Sequence, residues 1–121
     1  MYSIYFYKDA KGKEPVFDYI NELTARQDKD SRIKLYKIQD YLNVLKQNGI
    51  CAGEPYIKHL DGDIWELRPL RDRILFAGWI DGGFVLLHTF VKKTQKTPAR
   101  EIKRAKRELA DIRKRGFKDE K

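Results

Sequence analysis

Asp63 to Pro98 reads DIWELRPLRDRILFAGWIDGGFVLLHTFVKKTQKTP, and its punctuation predicts three strands, two tight turns and the start of a helix. Residues 64–68 alternate apolar and polar side chains, the period of a half-buried strand. Pro69, Leu70, Arg71 and Asp72 make a turn, and residues 73–80 are β-rich and mostly apolar. Asp81-Gly82-Gly83 suits a hairpin connection, because Asp and Gly accept positive φ at low cost. A third apolar run covers residues 84–91. Lys92, Lys93 and Lys96 then arrive together, so the meander carries a cationic rim at one end.

Outward from this stretch, the N-terminal residues 2–7 are apolar and aromatic and predict a first strand. Pro15 suits the first position of a short helix, and Val16, Tyr19, Ile20 and Leu23 share one of its faces. Asp28 or Asp30 is placed to cap a second helix, in which Leu35, Ile38, Leu42 and Leu45 recur at helical spacing. Gly49 is placed to stop it, and residues 50–63 read as a loop. Thr97-Pro98 reads as an N-cap with proline at the first position of a last helix. Ile102, Ala105, Leu109 and Ile112 form the apolar stripe of that helix, and core packing is preferred to a partner groove for it. Gly116 ends the helix, and the residues beyond read as a frayed tail. The order is β-α-α-β-β-β-α, an α+β fold in which a small antiparallel sheet has helices packed on one face and its other face open.

With 121 residues the chain fits one domain, residues 1–121. No apolar run approaches the ~20 residues needed to span a membrane, and the first residues lack the basic start of a signal peptide. One cysteine, Cys51, has no partner for an internal disulfide, which points to a reducing, cytoplasmic setting. Two histidines and one cysteine, far apart in sequence, give no zinc pattern and imply no metal or other cofactor. The net charge of +8 is unevenly placed: residues 1–91 carry 13 Lys/Arg and 13 Asp/Glu, whereas residues 92–118 carry 12 Lys/Arg and only Glu101, Glu108 and Asp111 as acids. That asymmetry fits a polyanionic partner such as nucleic acid, and equally a solvated helix face.

The element order, together with Trp65-Glu66-Leu67-Arg68, Arg73-Ile74-Leu75-Phe76 and the run from Leu87 through Lys92-Lys93-Thr94-Gln95-Lys96-Thr97-Pro98 to Glu101, Ile102 and Ala105, resembles the RelE/ParE toxin superfamily and its HigB-like, phage-derived branch. The resemblance implies a toxin of a type II toxin–antitoxin pair: a metal-independent mRNA endoribonuclease acting on ribosome-bound message. It also implies neutralisation by a helix-turn-helix, HigA-like antitoxin in a hetero-oligomeric complex. The superfamily also contains ParE-like members that inhibit DNA gyrase without catalysis, which keeps a second class open. A small basic nucleic-acid-binding module without toxicity is a third.

Cleavage in such ribonucleases proceeds by attack of a 2′-hydroxyl on the adjacent phosphorus. It needs removal of the 2′ proton, stabilisation of extra negative charge and protonation of the leaving 5′-oxygen. Arginine suits the second task. Arg73 and Arg68 flank one turn, and Arg73 aligns with the arginine that such ribonucleases set against the scissile phosphate. Strand alternation puts Glu66 on the face of Arg68, opposite Trp65 and Leu67; without the resemblance, a surface ion pair is the preferred reading of the two. Lys93 falls near a cationic active-site residue of relatives, with Lys92 and Lys96 as phosphate contacts or a solvated rim. Phe90 suits base stacking or core packing. His88 has the chemistry of a general base, although its apolar strand favours a hydrogen-bonded core histidine.

Overall fold

The computed structural model describes residues 1–116; the expected frayed tail lies outside the described residues. Five strands form one sheet: β1 (Ile4–Phe6), β2 (Ile57–Asp61), β3 (Ile64–Leu67), β4 (Asp72–Gly78) and β5 (Phe84–Val91), in the spatial order β1-β5-β4-β3-β2. β1 runs parallel to β5, and every other pairing is antiparallel. Helices α1 (Pro15–Ala25) and α2 (Lys29–Asn48) follow β1, and α3 (Ala99–Arg115) follows β5. The α+β class and the broad order agree with the sequence reading. The strand β2 was expected to be loop; Gly53, Pro55 and Asp61-Gly62 bracket it, and its edge position leaves Lys58 and His59 exposed, which obscures the apolar pattern.

The local signals act as expected at several places. Asp28 caps α2 by accepting from the Ser31 amide at 3.0 Å. Asp81 and Gly82 both take positive φ in the turn between β4 and β5. Thr97 is not an N-cap: Pro98 holds that position, and the Thr97 hydroxyl donates instead to Glu66.

The helical layers differ from expectation. Val16, Leu23, Ile38 and Leu45 of α1 and α2 pack with Ile57, Leu67, Ile74, Phe76, Phe84 and Leu86 on one sheet face. Ala105, Leu109 and Ile112 of α3 pack with Ile64, Leu75, Ala77, Val85 and Leu87 on the opposite face. The second face is therefore covered by α3 rather than open, and helices sit on both faces instead of one. The unbroken buried run of β4 requires this, because each successive side chain alternates faces and both must be apolar.

A bulge decides which strand residues meet α3. Leu75 pairs with His88 while Phe76 pairs with Leu86, so β5 holds one extra residue at Leu87. Phe84 and Leu86 face α1 and α2, but beyond the bulge His88 and Phe90 turn to the α3 side.

Candidate functional site

Where β3, β4 and β5 reach the first turn of α3, the covered face opens into a cleft of about 610 Å³. Its lining brings together Glu66, Arg68, Arg73, Phe90, Lys92, Lys93 and Lys96, with Lys58, His59, Thr97, Arg100 and Glu101 beside them. His88 does not line it; that ring is fully buried beneath the wall.

Glu66 lies at the centre of the polar floor. Its carboxylate is almost entirely buried, yet it has three cationic or hydroxyl neighbours. The Thr97 hydroxyl donates to Oε1 at 2.5 Å, Arg68 Nε stands 3.5 Å from Oε2, and Arg73 Nε stands 3.8 Å from the same oxygen. A lone buried carboxylate is costly, and these partners are what make it tolerable. Glu66 and Arg68 are thus no surface ion pair: the side chains are 2% and 21% exposed.

Arg73 is buried at 6% rather than presenting an exposed head group at the start of a strand. It is the second residue of β4, and α3 covers that face. Its Nη1 donates to the carbonyl oxygens of Leu70 at 2.8 Å and Asp72 at 2.9 Å. Burial pulls the guanidinium below its ordinary range, and the Glu66 carboxylate pushes back. Its Nε stands 3.8 Å from Glu66 Oε2, an ion-pair contact longer than a hydrogen bond.

The rim is cationic. Lys93 and Lys96 are exposed and Lys92 half-buried, on the segment that joins β5 to α3. Arg100 adds a further cation from the first turn of α3, and Lys58 another from β2. Neither of these two is signalled by the sequence, Lys58 because residues 50–63 read as loop. A hydrogen-bonded backbone pair, Lys92 N–H to Arg71 carbonyl at 2.7 Å, fixes the rim to the turn that precedes β4. Phe90 is half-buried: it packs on the α3-side core and also lines the cleft. His88 is the hydrogen-bonded core histidine: Nδ1 faces Glu108 Oε1 at 2.6 Å and Nε2 faces Glu101 Oε1 at 2.9 Å. His59 lies on the exposed edge strand, its ring against Trp65 and its Nε2 2.7 Å from the Gly62 carbonyl.

Among the described residues no group of three or more His, Cys, Asp or Glu side chains is placed to hold a metal ion. No helix among them is long and apolar enough to cross a membrane. A buried carboxylate between two arginines can accept a proton while the arginines stabilise anionic charge beside it. A cationic rim with one aromatic ring suits an anionic, base-bearing polymer.

The family described as phage-derived Gp49-like protein (DUF891) matches residues 19–110, a span that runs from α1 to most of α3 and includes every lining residue of the cleft. No curated protein matches the chain.

Proposed function

The chain belongs to the phage-derived Gp49-like family, a family of RelE/HigB-like toxins, and from that premise we propose that it is the toxin of a type II toxin–antitoxin pair that cleaves mRNA on the ribosome. The single observation that carries this reading is the buried Glu66 carboxylate, held between Arg68 and Arg73 on the floor of a cationic cleft. In the proposed reaction Glu66 takes the proton of a ribose 2′-hydroxyl, and the 2′-oxygen attacks the adjacent phosphorus. Arg73 and Arg68 stabilise the negative charge that builds on the phosphoryl oxygens. The P–O5′ bond breaks, and an ammonium proton from Lys93 goes to the leaving oxygen. The products are a 2′,3′-cyclic phosphate and a 5′-hydroxyl. Every role is taken by a side chain, so the proposed chemistry is metal-independent. Lys92 and Lys96 hold flanking phosphates, and Phe90 stacks on a base. A helix-turn-helix, HigA-like antitoxin would neutralise the toxin in a cytoplasmic hetero-oligomer.

The test is primer extension on a message translated in a cell-free system containing the purified chain. Wild type should produce discrete cuts with 5′-hydroxyl ends. Glu66→Gln, which keeps shape but loses the base, should lower cutting by about 10²–10⁴-fold. An intact message alongside inhibited gyrase supercoiling would replace this reading with the ParE-like one.

A further inference from the structure

Glu101 is a second carboxylate in the cleft lining, and neither phosphate binding nor the role given to Glu66 accounts for it. Lys58, Arg68, Arg73, Lys92, Lys93 and Arg100 would all attract a phosphate, and a carboxylate among them repels it. Glu101 is also held firmly. Its Oε1 meets His88 Nε2 at 2.9 Å, His88 Nδ1 meets Glu108 Oε1 at 2.6 Å, and Arg104 Nε donates to Glu108 Oε2 at 3.0 Å. Each of the two ring contacts must hold a proton, so the three groups lock one another in register. The Glu101 side chain is 16% exposed, and its Oε2 stands 3.9 Å from Nε of the solvent-exposed Arg100.

A fixed carboxylate oxygen is an acceptor with no donor capacity of its own. Phe90 lines the same cleft, and its ring centroid lies 6.2 Å from that of His88, the ring that holds Glu101. A base stacked there would turn an edge toward the wall that carries Glu101. Adenine, cytosine and guanine all bear an exocyclic amine that such an oxygen can accept from. Uracil offers a single imide N–H between two carbonyl oxygens that a carboxylate repels.

Resting on the reading of the cleft as an RNA site, we propose that Glu101, clamped by His88 and Glu108, is its base-reading residue, accepting a hydrogen bond from the amino group of a base stacked on Phe90. His88 and Glu108 are positioning residues that act through Glu101.

The experiment measures binding of short labelled oligo(A), oligo(C) and oligo(U) to the full chain by fluorescence anisotropy at low salt. Wild type should favour oligo(A) and oligo(C) over oligo(U) by about tenfold, the lower end for one base contact. Glu101→Gln keeps the acceptor for His88 but adds an amide donor for the uracil carbonyl, and should bring the three affinities within about twofold. Glu108→Gln should shrink the preference while leaving oligo(U) affinity unchanged, which a merely structural role would not do. A preference that survives Glu101→Gln overturns the proposal. So does an equal gain for all three oligomers, which would mark Glu101 as a charge and nothing more. If base preference behaves as expected but no message is cut, RNA reading stands and the cleavage reading falls.

Discussion

Arg73 ties three things together: two turn carbonyls bonded through Nη1, the Glu66 carboxylate beside its Nε, and the cleft that it helps to line. Its removal therefore has two consequences that must be separated. Arg73→Ala should lower RNA cleavage by ~10²–10³-fold, as loss of a charge-stabilising donor does. It should also destabilise the fold by about 3 kcal/mol, because Glu66 is left buried with one cation fewer. Arg73→Lys keeps the charge beside Glu66 but cannot satisfy two carbonyls and a phosphate together, so its melting temperature should stay nearer wild type while its activity falls almost as far. Thermal unfolding and cleavage measured on both variants check this, and an active Arg73→Lys would remove the bidentate role. The shared face of Glu66 and Arg68 was legible from strand alternation, and the nearness of Arg68 and Arg73 from the turn they flank. Their burial was not, since it depends on α3, which lies far along the chain and packs on that face. The orientation of His88 was hidden for another reason: the extra residue at Leu87 reverses strand parity partway along β5, and no alternation pattern in the sequence shows it.

At the scale of elements, α3 holds the cleft together because it supplies one wall and is pinned at its far end to the residues that follow β1. Tyr7 donates to Asp111 Oδ2 at 2.6 Å, Arg115 Nε donates to Asp111 Oδ1 at 2.8 Å, and Arg115 Nη2 reaches the Lys8 carbonyl. The Arg115 hydrogen bonds, followed by that of Tyr7, lower the Asp111 carboxyl from an ordinary 3.8 to about 2. A carboxyl depressed in the folded state stabilises the fold fully above its unfolded value and loses that contribution as pH falls through its folded value. The gap in melting temperature between wild type and Asp111→Asn should thus be constant from neutral pH down to about 5, then close by about pH 2. The site is a third exposed, so the gap should be modest. A gap independent of pH over that window would show that Asp111 acts only by packing. The apolar stripe of Ile102, Ala105, Leu109 and Ile112 announced this helix in the sequence. Its destination was written only indirectly, in strands β4 and β5, whose buried runs carry apolar side chains toward both faces.

Across the whole molecule, charge and apolar surface are segregated in a way that bears on neutralisation. The segment from residue 92 to 118 holds the cationic excess, whereas α1 and α2 lie in the charge-balanced part. Leu35 of α2 is packed against the core of the α1–α2 face. Phe17, Ile33 and Tyr36 are the large apolar side chains those helices leave exposed. We propose that the antitoxin uses both surfaces, burying these three side chains and pairing acidic groups with α3. Lys106 and Arg113 of α3 already pair with Asp61 and Asp63 of the sheet edge, while Lys103 and Arg107 make no ion pair among the described residues and point the same way as Arg100. Free, exposed cations of this kind speed encounter more than they deepen affinity, because they act over distance before contact forms. Their field is screened beyond roughly 8 Å at physiological ionic strength. The association rate with an acidic antitoxin should therefore fall by about tenfold or more from low to high salt, with the dissociation rate little changed. Lys103→Gln with Arg107→Gln should flatten that dependence, whereas Tyr36→Ala should leave it alone and speed dissociation. Stopped-flow measurements at several salt concentrations separate the two contributions, and an association rate that stays flat would take α3 out of the encounter.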